Sequence, residues 1–121
     1  MSASSNFSAR VVDGVHVVEL SRTDVLDTSY ITRVQQELLA YAAEKHGASM
    51  VVDLSSVKFL SSTALGLLLA LHQALSRADG TLAVAGADDE VLRAFKLVKL
   101  HKVVGVHDTV REAVDAALKK R

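Results

Sequence analysis

Three consecutive hydroxyl side chains interrupt two apolar runs in the segment KFLSSTALGLLL, which spans residues 58–69. They belong to Ser61, Ser62 and Thr63, at the point where the pattern changes from that of a strand to that of a helix. A hydroxyl at such a position can cap the helix, act as a nucleophile, or accept a phosphoryl group. The nucleophile role is disfavoured, because the sequence SSTALG lacks the glycines that flank the serine of a nucleophile elbow. Capping and phosphorylation are the two roles that remain.

The rest of the chain lacks the sequence patterns of a catalytic, metal or cofactor site. The glycine nearest to a strand-to-helix turn, Gly66, falls inside a predicted helix, so no Gly-rich phosphate loop is present. The chain has no cysteine, and its histidines stand at unrelated spacings without a third ligand. We therefore expect no metal and no cofactor, and a binding protein rather than an enzyme. The histidines are His16, His46, His72, His101 and His107.

One alternative of a different class is a flavodoxin-like ligand binder or enzyme. Such a fold binds its ligand at the carboxyl ends of its strands, where polar groups converge. After the predicted strand SMVVDL the chain offers Asp53, Ser55 and Ser56, and the sequence indicates no polar groups opposite them.

Length and composition limit the classes of protein that fit. The 121 residues suffice for one domain, and 50% of them are apolar. Lysine plus arginine equals aspartate plus glutamate, at 14 each, which disfavours nucleic acid as a partner. No apolar run reaches the roughly 20 residues that span a bilayer, and the N-terminus lacks the apolar stretch of a signal peptide. We expect a cytoplasmic protein without membrane insertion.

Hydrophobic periodicity predicts the elements that position the triplet. Alternation from Phe7 onward and the pair Asp13-Gly14 predict an opening hairpin. The apolar strand segments SMVVDL, TLAVAG and KVVGVH then alternate with helical patterns, among them DDEVLRAFKLVKL. The predicted order is β-β-α-β-α-β-α-β-α, an α/β fold with a mostly parallel mixed sheet and packed helices. The domain would span residues 7–121, after a flexible N-terminal arm at residues 1–6.

The helix after the triplet carries more leucine than one buried face requires. On a helical wheel one broad stripe faces the core, while Ser62 and Gly66 fall on the opposite side. Leu65 and Leu69 lie beside that polar side, on the same flank as Ser62. Either Ser61 or Ser62 is an N-cap and the two leucines contact a neighbouring helix, or the leucines form a docking patch with a hydroxyl switch at its edge. The stripe consists of Ala64, Leu67, Leu68, Leu71, Ala74, Leu75 and Ala78.

A phosphate at Ser62 would change binding without unfolding the protein. It adds close to two negative charges and a bulky hydrated group. The free amides and the dipole of a helix N-terminus favour an anion, so the helix would tolerate the phosphate. An apolar interface pressed against the same site would not.

The segment VVDLSSVKFLSSTALGLLLAL resembles the STAS domain of anti-sigma factor antagonists. The family pattern is an apolar strand, an Asp or Asn, a short loop, an aromatic-apolar pair, then Asp-Ser-Ser/Thr-Gly-Leu-Gly and an apolar helix. The order of elements fits the family along nearly the whole chain, and the segments LAVAG and VVGVHDTVREAVDAAL match its C-terminal half in kind. The resemblance implies a STAS-type single domain.

The resemblance also implies a regulatory cycle. In the family, the first serine after the Asp accepts the phosphate, and that position is Ser62 here, with Ser61 and Thr63 as alternative acceptors. The implied partner is an anti-sigma factor serine kinase, which the unphosphorylated chain sequesters and which phosphorylates the serine to break the complex. A phosphatase of the PP2C type would reverse the step, and a homodimer is left open. The partner-binding residues would be Ser61, Ser62, Thr63, Leu65, Gly66 and Leu69.

Two positions depart from the family pattern. Ser61 replaces the Asp, which removes a negative charge beside the acceptor. Ala64 replaces the Gly, which adds a methyl group where a partner could pass closely. These departures keep a second function open, in which the chain is a non-phosphorylated STAS interaction subunit of a transporter or of a stress-signalling complex.

Overall fold

In the computed structural model, which describes residues 2–3, 7–20 and 28–119, the strands form one mixed sheet with neighbours in chain order. The predicted α/β fold is confirmed, and β1 is an addition to the predicted order of elements. In this part of the chain the strands are β1 (Ser2–Ala3), β2 (Phe7–Val12), β3 (Val15–Leu20), β4 (Ser49–Asp53), β5 (Thr81–Ala85) and β6 (Gly105–His107). The helices are α1 (Thr28–Ala43), α2 (Ser62–Arg77), α3 (Asp89–Leu97) and α4 (Val110–Lys119), with a 3-10 turn at Leu100–Lys102.

The opening hairpin turns at the two residues that the sequence indicated. Asp13 and Gly14 have φ values of 52° and 84°, the left-handed conformation that a two-residue hairpin loop needs. β2 pairs antiparallel with β3 on one side and with β1 on the other. Along β2, burial alternates as far as Ala9, but Val11 next to the turn is exposed. The apolar face of this strand is therefore shorter than the alternation predicts.

The four strands from β3 to β6 run parallel. Val18, Val52, Val84 and Val106 are successive partners across them, one valine on each strand. Parallel neighbours need crossover connections, and α1, α2 and the α3 segment supply them. Since sheet partners share a face, these valines carry one continuous apolar surface onto which the crossover helices pack.

The two faces of the sheet bury two separate cores. The larger core lies between the sheet and α1, α2 and α3, and α1 also packs directly on α2. The smaller core lies on the other face, under α4. The helix residues of the larger core include Ile31, Val34, Leu38, Leu67, Leu71, Leu75, Val91 and Phe95. The residues of the smaller core are Val15, Val17, Val51, Ala85, Ala113, Val114 and Ala117.

The connection from α3 to β6 differs from the predicted one. The segment DDEVLRAFKLVKL predicts a helix through residue 100, but α3 ends at Leu97 because Lys99 takes a left-handed conformation, with φ 60° and ψ 24°. The segment KVVGVH predicts a strand from residue 102, but β6 begins only at Gly105. The intervening residues form the 3-10 turn, so Val103 is exposed on the surface and does not enter the sheet.

The predicted flexible arm at residues 1–6 lies largely outside the described residues. Within it, Ser2 and Ala3 pair with Ala9 and Ser8 of β2. The flexibility of the arm and the start of the domain at residue 7 therefore stay predictions.

Candidate functional site

Two adjacent serines at the start of α2 occupy different positions relative to the helix. Ser61 is the N-cap, with extended φ and ψ of −76° and 166°, and its Oγ accepts a hydrogen bond from the Ala64 amide at 3.1 Å. Ser62 is the first residue of the helix, and its side chain is exposed. The capping role that the sequence left open between the two serines thus belongs to Ser61, and the Ser62 hydroxyl is free of it.

The loop before α2 is anchored at both ends, which fixes where the helix starts. Asp53 Oδ1, at the end of β4, accepts hydrogen bonds from the Ser55 amide at 3.0 Å and from Ser55 Oγ at 2.7 Å. Leu54, Val57 and Leu60 are buried and hold the loop against the larger core. The hydroxyl triplet therefore follows a well-anchored segment.

The predicted core stripe of α2 is confirmed except at its C-terminal end, where Ala74 and the C-cap Ala78 are only half-buried. Leu67, Leu68, Leu71 and Leu75 are buried, together with Ala64. On the other side Ser62, Thr63 and Gly66 are exposed, and Leu69 is 42% exposed. Leu65 is half-buried and packs on the edge of the larger core. Of the two leucines beside Ser62, Leu69 is the one that core packing leaves on the surface.

An open groove of about 270 Å³ runs beside the exposed flank of α2; we call it the α2 groove. One wall consists of residues of α2, and the other consists of residues of the α3–β6 connection. The α2 wall contains four of the six predicted partner-binding residues, whereas Ser61 and Thr63 do not line the groove. The lining residues are Ser62, Leu65, Gly66 and Leu69 on α2, and Val98, Lys99, Leu100 and Val103 opposite them.

The second wall of the groove was not predicted from the sequence. Val98 and Val103 lie on either side of the 3-10 turn, and assigning them to a helix and a strand hid their exposure. One signal was available, because the run LVKLHKVV holds more apolar residues than one narrow helix face or one short strand can bury. The long-range approach of this run to α2 was not encoded in any local pattern.

The methyl group of Ala64 does not lie on the surface where a partner could pass, as the departure from the family pattern had suggested. Its methyl group is buried in the larger core, with 2% of the residue exposed. The added methyl therefore fills space beneath the helix and does not obstruct the groove. The departure at Ser61 concerns the surface more directly, because a half-buried neutral cap stands there where the family pattern has an acid.

The polar groups at the carboxyl end of β4 contact each other and the neighbouring loop. Asp53 is engaged by Ser55, and Gly86 lies so close that a Cβ atom on it would stand 3.0 Å from Ser55 Cβ. Within residues 2–3, 7–20 and 28–119, no group of three or more His, Cys, Asp or Glu side chains is arranged to hold a metal ion. In the same part of the chain, no helix is long and apolar enough to cross a membrane.

Comparison with known proteins places this architecture in a family. The profile of the STAS domain matches residues 6–113. The chain belongs to the STAS domain family. A Thermotoga maritima protein named "putative anti-sigma factor antagonist" is 28% identical over 116 residues, which cover 94% of this chain and 99% of the relative.

Solved STAS structures share the fold. An anti-sigma factor antagonist from Mycobacterium paratuberculosis is 28% identical, with a TM-score of 0.76 and coverage of 97% of this chain and 98% of that one. The anti-sigma factor antagonist SpoIIAA in its unphosphorylated form is 18% identical, with a TM-score of 0.76 and coverage of 91% and 94%. SpoIIAA in its phosphorylated form, described as a Bacillus cell fate determinant, is 17% identical, with a TM-score of 0.70 and coverage of 91% and 97%.

Proposed function

We propose that the protein is an anti-sigma factor antagonist whose partner is a serine-kinase anti-sigma factor. In this proposal the unphosphorylated chain binds the partner through the α2 groove, and phosphorylation of Ser62 releases it. The observation that carries the proposal is the position of Ser62, which is exposed at the first residue of α2 and stands on the wall of an apolar groove. The relatives named above as anti-sigma factor antagonists support the partner class.

The helix start is suited to receive a phosphoryl group. The kinase would transfer the γ-phosphoryl of ATP, so that the bond to ADP breaks as a bond to Ser62 Oγ forms, and the hydroxyl proton passes to a base of the kinase. Because Ser61 Oγ already caps the helix, modification of Ser62 leaves the cap hydrogen bond in place. The amides of the first turn have no intrahelical acceptor, and they favour an anion at this end. We therefore expect the phosphorylated chain to stay folded.

The same phosphate would be incompatible with a covered groove. It brings nearly two negative charges and their hydration to the edge of a surface formed by Leu65, Leu69 and the opposite valines. Covering that surface with a partner would strip water from the phosphate, which costs several kcal/mol per buried charge unless a counter-charge replaces the water. Release of the partner avoids this cost.

Binding measurements on acidic variants test the proposal. We expect Ser62→Glu to weaken binding to the host's purified serine-kinase anti-sigma factors by roughly tenfold or more, because the charge must be desolvated at the groove. Ser76→Glu is the matched control: it makes the same substitution at an exposed serine near the end of α2 that does not line the groove, and it should bind like the parent. Isothermal titration calorimetry measures the affinities, and circular dichroism checks the fold.

The neutral variant completes this experiment. Ser62→Ala should bind like the parent and take up no phosphate from the kinase and ATP, as read by phosphopeptide mass spectrometry. Equal affinity of Ser62→Glu and the parent would count against the switch, and so would phosphate found only on Ser61 or Thr63.

A phosphatase completes the proposed cycle. Hydrolysis of the phosphoserine by a PP2C-type phosphatase would restore the Ser62 hydroxyl and renewed binding. Because the Ser62 side chain is exposed when no partner covers it, the phosphate of the released chain would be accessible. We place both enzymes in the cytoplasm, where the kinase has its ATP.

The neutral residue at Ser61 favours a second candidate function. A STAS interaction subunit that is never phosphorylated would bind its transporter or stress-signalling partner through the same groove. Intact binding combined with no phosphate transfer from any serine-kinase anti-sigma factor of the host would support this function over the first.

A further inference from the structure

The exposed apolar residues of the molecule are concentrated around the α2 groove. Among the described residues, Leu69, Val98 and Val103 line the groove and are 42%, 56% and 52% exposed. Leu97, 78% exposed, directly precedes the second wall. The other large hydrophobic side chains of similar exposure in the described ranges are Val11 and Phe59. A contiguous apolar surface of this kind marks an interaction site more often than scattered exposed residues do.

The two chain segments that contribute the walls of the groove carry charge of one sign. The segment from Leu54 to Ala78, which includes α2, contains no acid, and neither does the segment from Val91 to His107. Over the whole chain, by contrast, acids and bases are equal in number, at 14 each. Lys99 is the charged residue among those that line the groove in the described part of the chain. The lysines and arginines of these two segments are Lys58, Arg77, Arg93, Lys96, Lys99 and Lys102.

Two properties of the groove thus define the occupant that fits it. Apolar walls favour an apolar side chain, because its burial removes hydrocarbon from water. Lys99 on the wall, in segments that hold cations and no acids, favours a carboxylate beside that side chain and repels a basic segment. A partner segment with both features is complementary to the groove, and a segment with lysine or arginine in the same place is not.

We propose that the α2 groove binds an apolar segment flanked by acidic residues in the partner protein, and that Lys99 pairs with one of its carboxylates. This proposal rests on the proposed function for the identity of the partner, the anti-sigma factor. It adds the chemistry by which the partner is recognised, and it makes the α3–β6 connection a specificity-determining wall.

Two pairs of variants test the two features of the groove separately. For charge, Lys99→Glu is compared with Lys119→Glu, since Lys119 is exposed at the end of α4 on the opposite face of the sheet. For apolar contact, Val103→Ser is compared with Val11→Ser, since Val11 is 57% exposed but lies beside the hairpin turn. Calorimetry measures the affinity of each variant for the same purified anti-sigma factors at low and high salt.

We expect Lys99→Glu to weaken binding about tenfold or more at low salt, with a smaller effect at high salt where the charges are screened. Val103→Ser should weaken binding as well, by several-fold, since the partner would cover the exposed half of this apolar side chain. Both controls should bind like the parent. An acid-to-lysine change in the partner segment that restores binding to Lys99→Glu would identify the paired carboxylate.

The outcomes separate this proposal from the proposed function. If Ser62→Glu abolishes binding while Lys99→Glu and Val103→Ser bind like the parent, the recognition chemistry is wrong and the phosphorylation switch stands. If Lys99→Glu and Val103→Ser weaken binding while Ser62→Glu does not, the groove is the docking site and the switch is wrong. Tighter binding by Lys99→Glu would mean that the partner presents cations, which overturns the proposal.

Discussion

The outer face of α4 and the α2 groove are both surfaces formed by a helix on the sheet. On α4 the charged side chains pair with each other, whereas the groove exposes apolar side chains beside a cation. On α4, Arg111 donates hydrogen bonds to Asp115 at 2.8 and 3.1 Å and to Asp13 of the hairpin turn at 3.1 Å, so charges of both signs are paired. These contacts raise the pKa of Arg111, with the hydrogen bonds to Asp115 and then to Asp13 as the first causes. At the groove, leucine and valine side chains face water beside Lys99, and the flanking segments hold no acid.

The difference indicates which of the two surfaces would gain stability from being covered by a partner. A surface whose charges pair with each other and whose apolar residues are buried gains little from being covered. A surface with exposed apolar residues and cationic side chains gains both apolar burial and ion pairing when a complementary partner binds. The comparison therefore predicts that the exposed residues of the groove contribute little to folding, while their buried neighbours on the same elements contribute much.

The largest change in the free energy of unfolding is expected for a buried leucine of α2, compared with an exposed leucine of the same helix. Leu71 is fully buried, and Leu71→Ala should lower the free energy of unfolding by about 2–5 kcal/mol, because it leaves a cavity in the larger core. Leu69→Ala, two residues earlier on the exposed flank, should cost about 0.5 kcal/mol or less. Urea denaturation measures both. Comparable losses for the two variants would mean that Leu69 belongs to the core.

The sequence was sufficient for this part of the molecule. The spacing of Leu67, Leu71 and Leu75 defines the buried stripe of α2, and the structure follows it. The pair Asp13-Gly14 encodes the hairpin turn by its conformational preference, and the structure follows that too. In both cases the information is local, since a helical period or a turn residue specifies geometry within a few positions.

The remaining parts depend on information that no short window contains. Ser61 and Ser62 are both good N-caps, so the register of the helix start was decided by the anchored loop before it. Lys99 gives no sign of a left-handed turn, since glycine and asparagine are the residues that usually adopt one, and so α3 was predicted too long. The groove arises from contact between segments about 30 residues apart in the sequence, and it could not be predicted from either alone.

The next largest change in stability is expected at Ser61, and it distinguishes this N-cap from Ser62. Ser61→Ala removes the hydrogen bond to the Ala64 amide and should cost about 1 kcal/mol of stability. Ser62→Ala should change stability by no more than about 0.5 kcal/mol, because no described residue makes a hydrogen bond to its hydroxyl. Thermal and urea unfolding of both variants provide the comparison. A larger loss for Ser62→Ala would give the hydroxyl a structural role and weaken its assignment as a switch.

The last effect on stability concerns Lys99, and its sign is opposite to that of the losses above. Three non-glycine residues have positive φ in the described chain, and two of them, Asp13 and Asp79, are of a type that tolerates this conformation. Lys99 is the third, directly after the C-cap of α3, at the position where glycine is the commonest residue. Relief of the backbone strain exceeds the entropic cost of glycine, so Lys99→Gly should raise the free energy of unfolding by about 0.5–1 kcal/mol.

The same substitution should reduce partner binding, because it removes the cation from the wall of the groove. Asp79→Gly is the matched control: Asp79 has φ 62° and follows the end of α2, outside the residues that line the groove, so binding should be unchanged. Unfolding in urea and calorimetric titration with the anti-sigma factor measure the two quantities on the same proteins. A lysine that costs stability but strengthens binding is retained for recognition. If Lys99→Gly gains stability and still binds like the parent, the charge of Lys99 does not contribute to partner binding. The α2 groove would then differ from the outer face of α4 only in its exposed apolar residues.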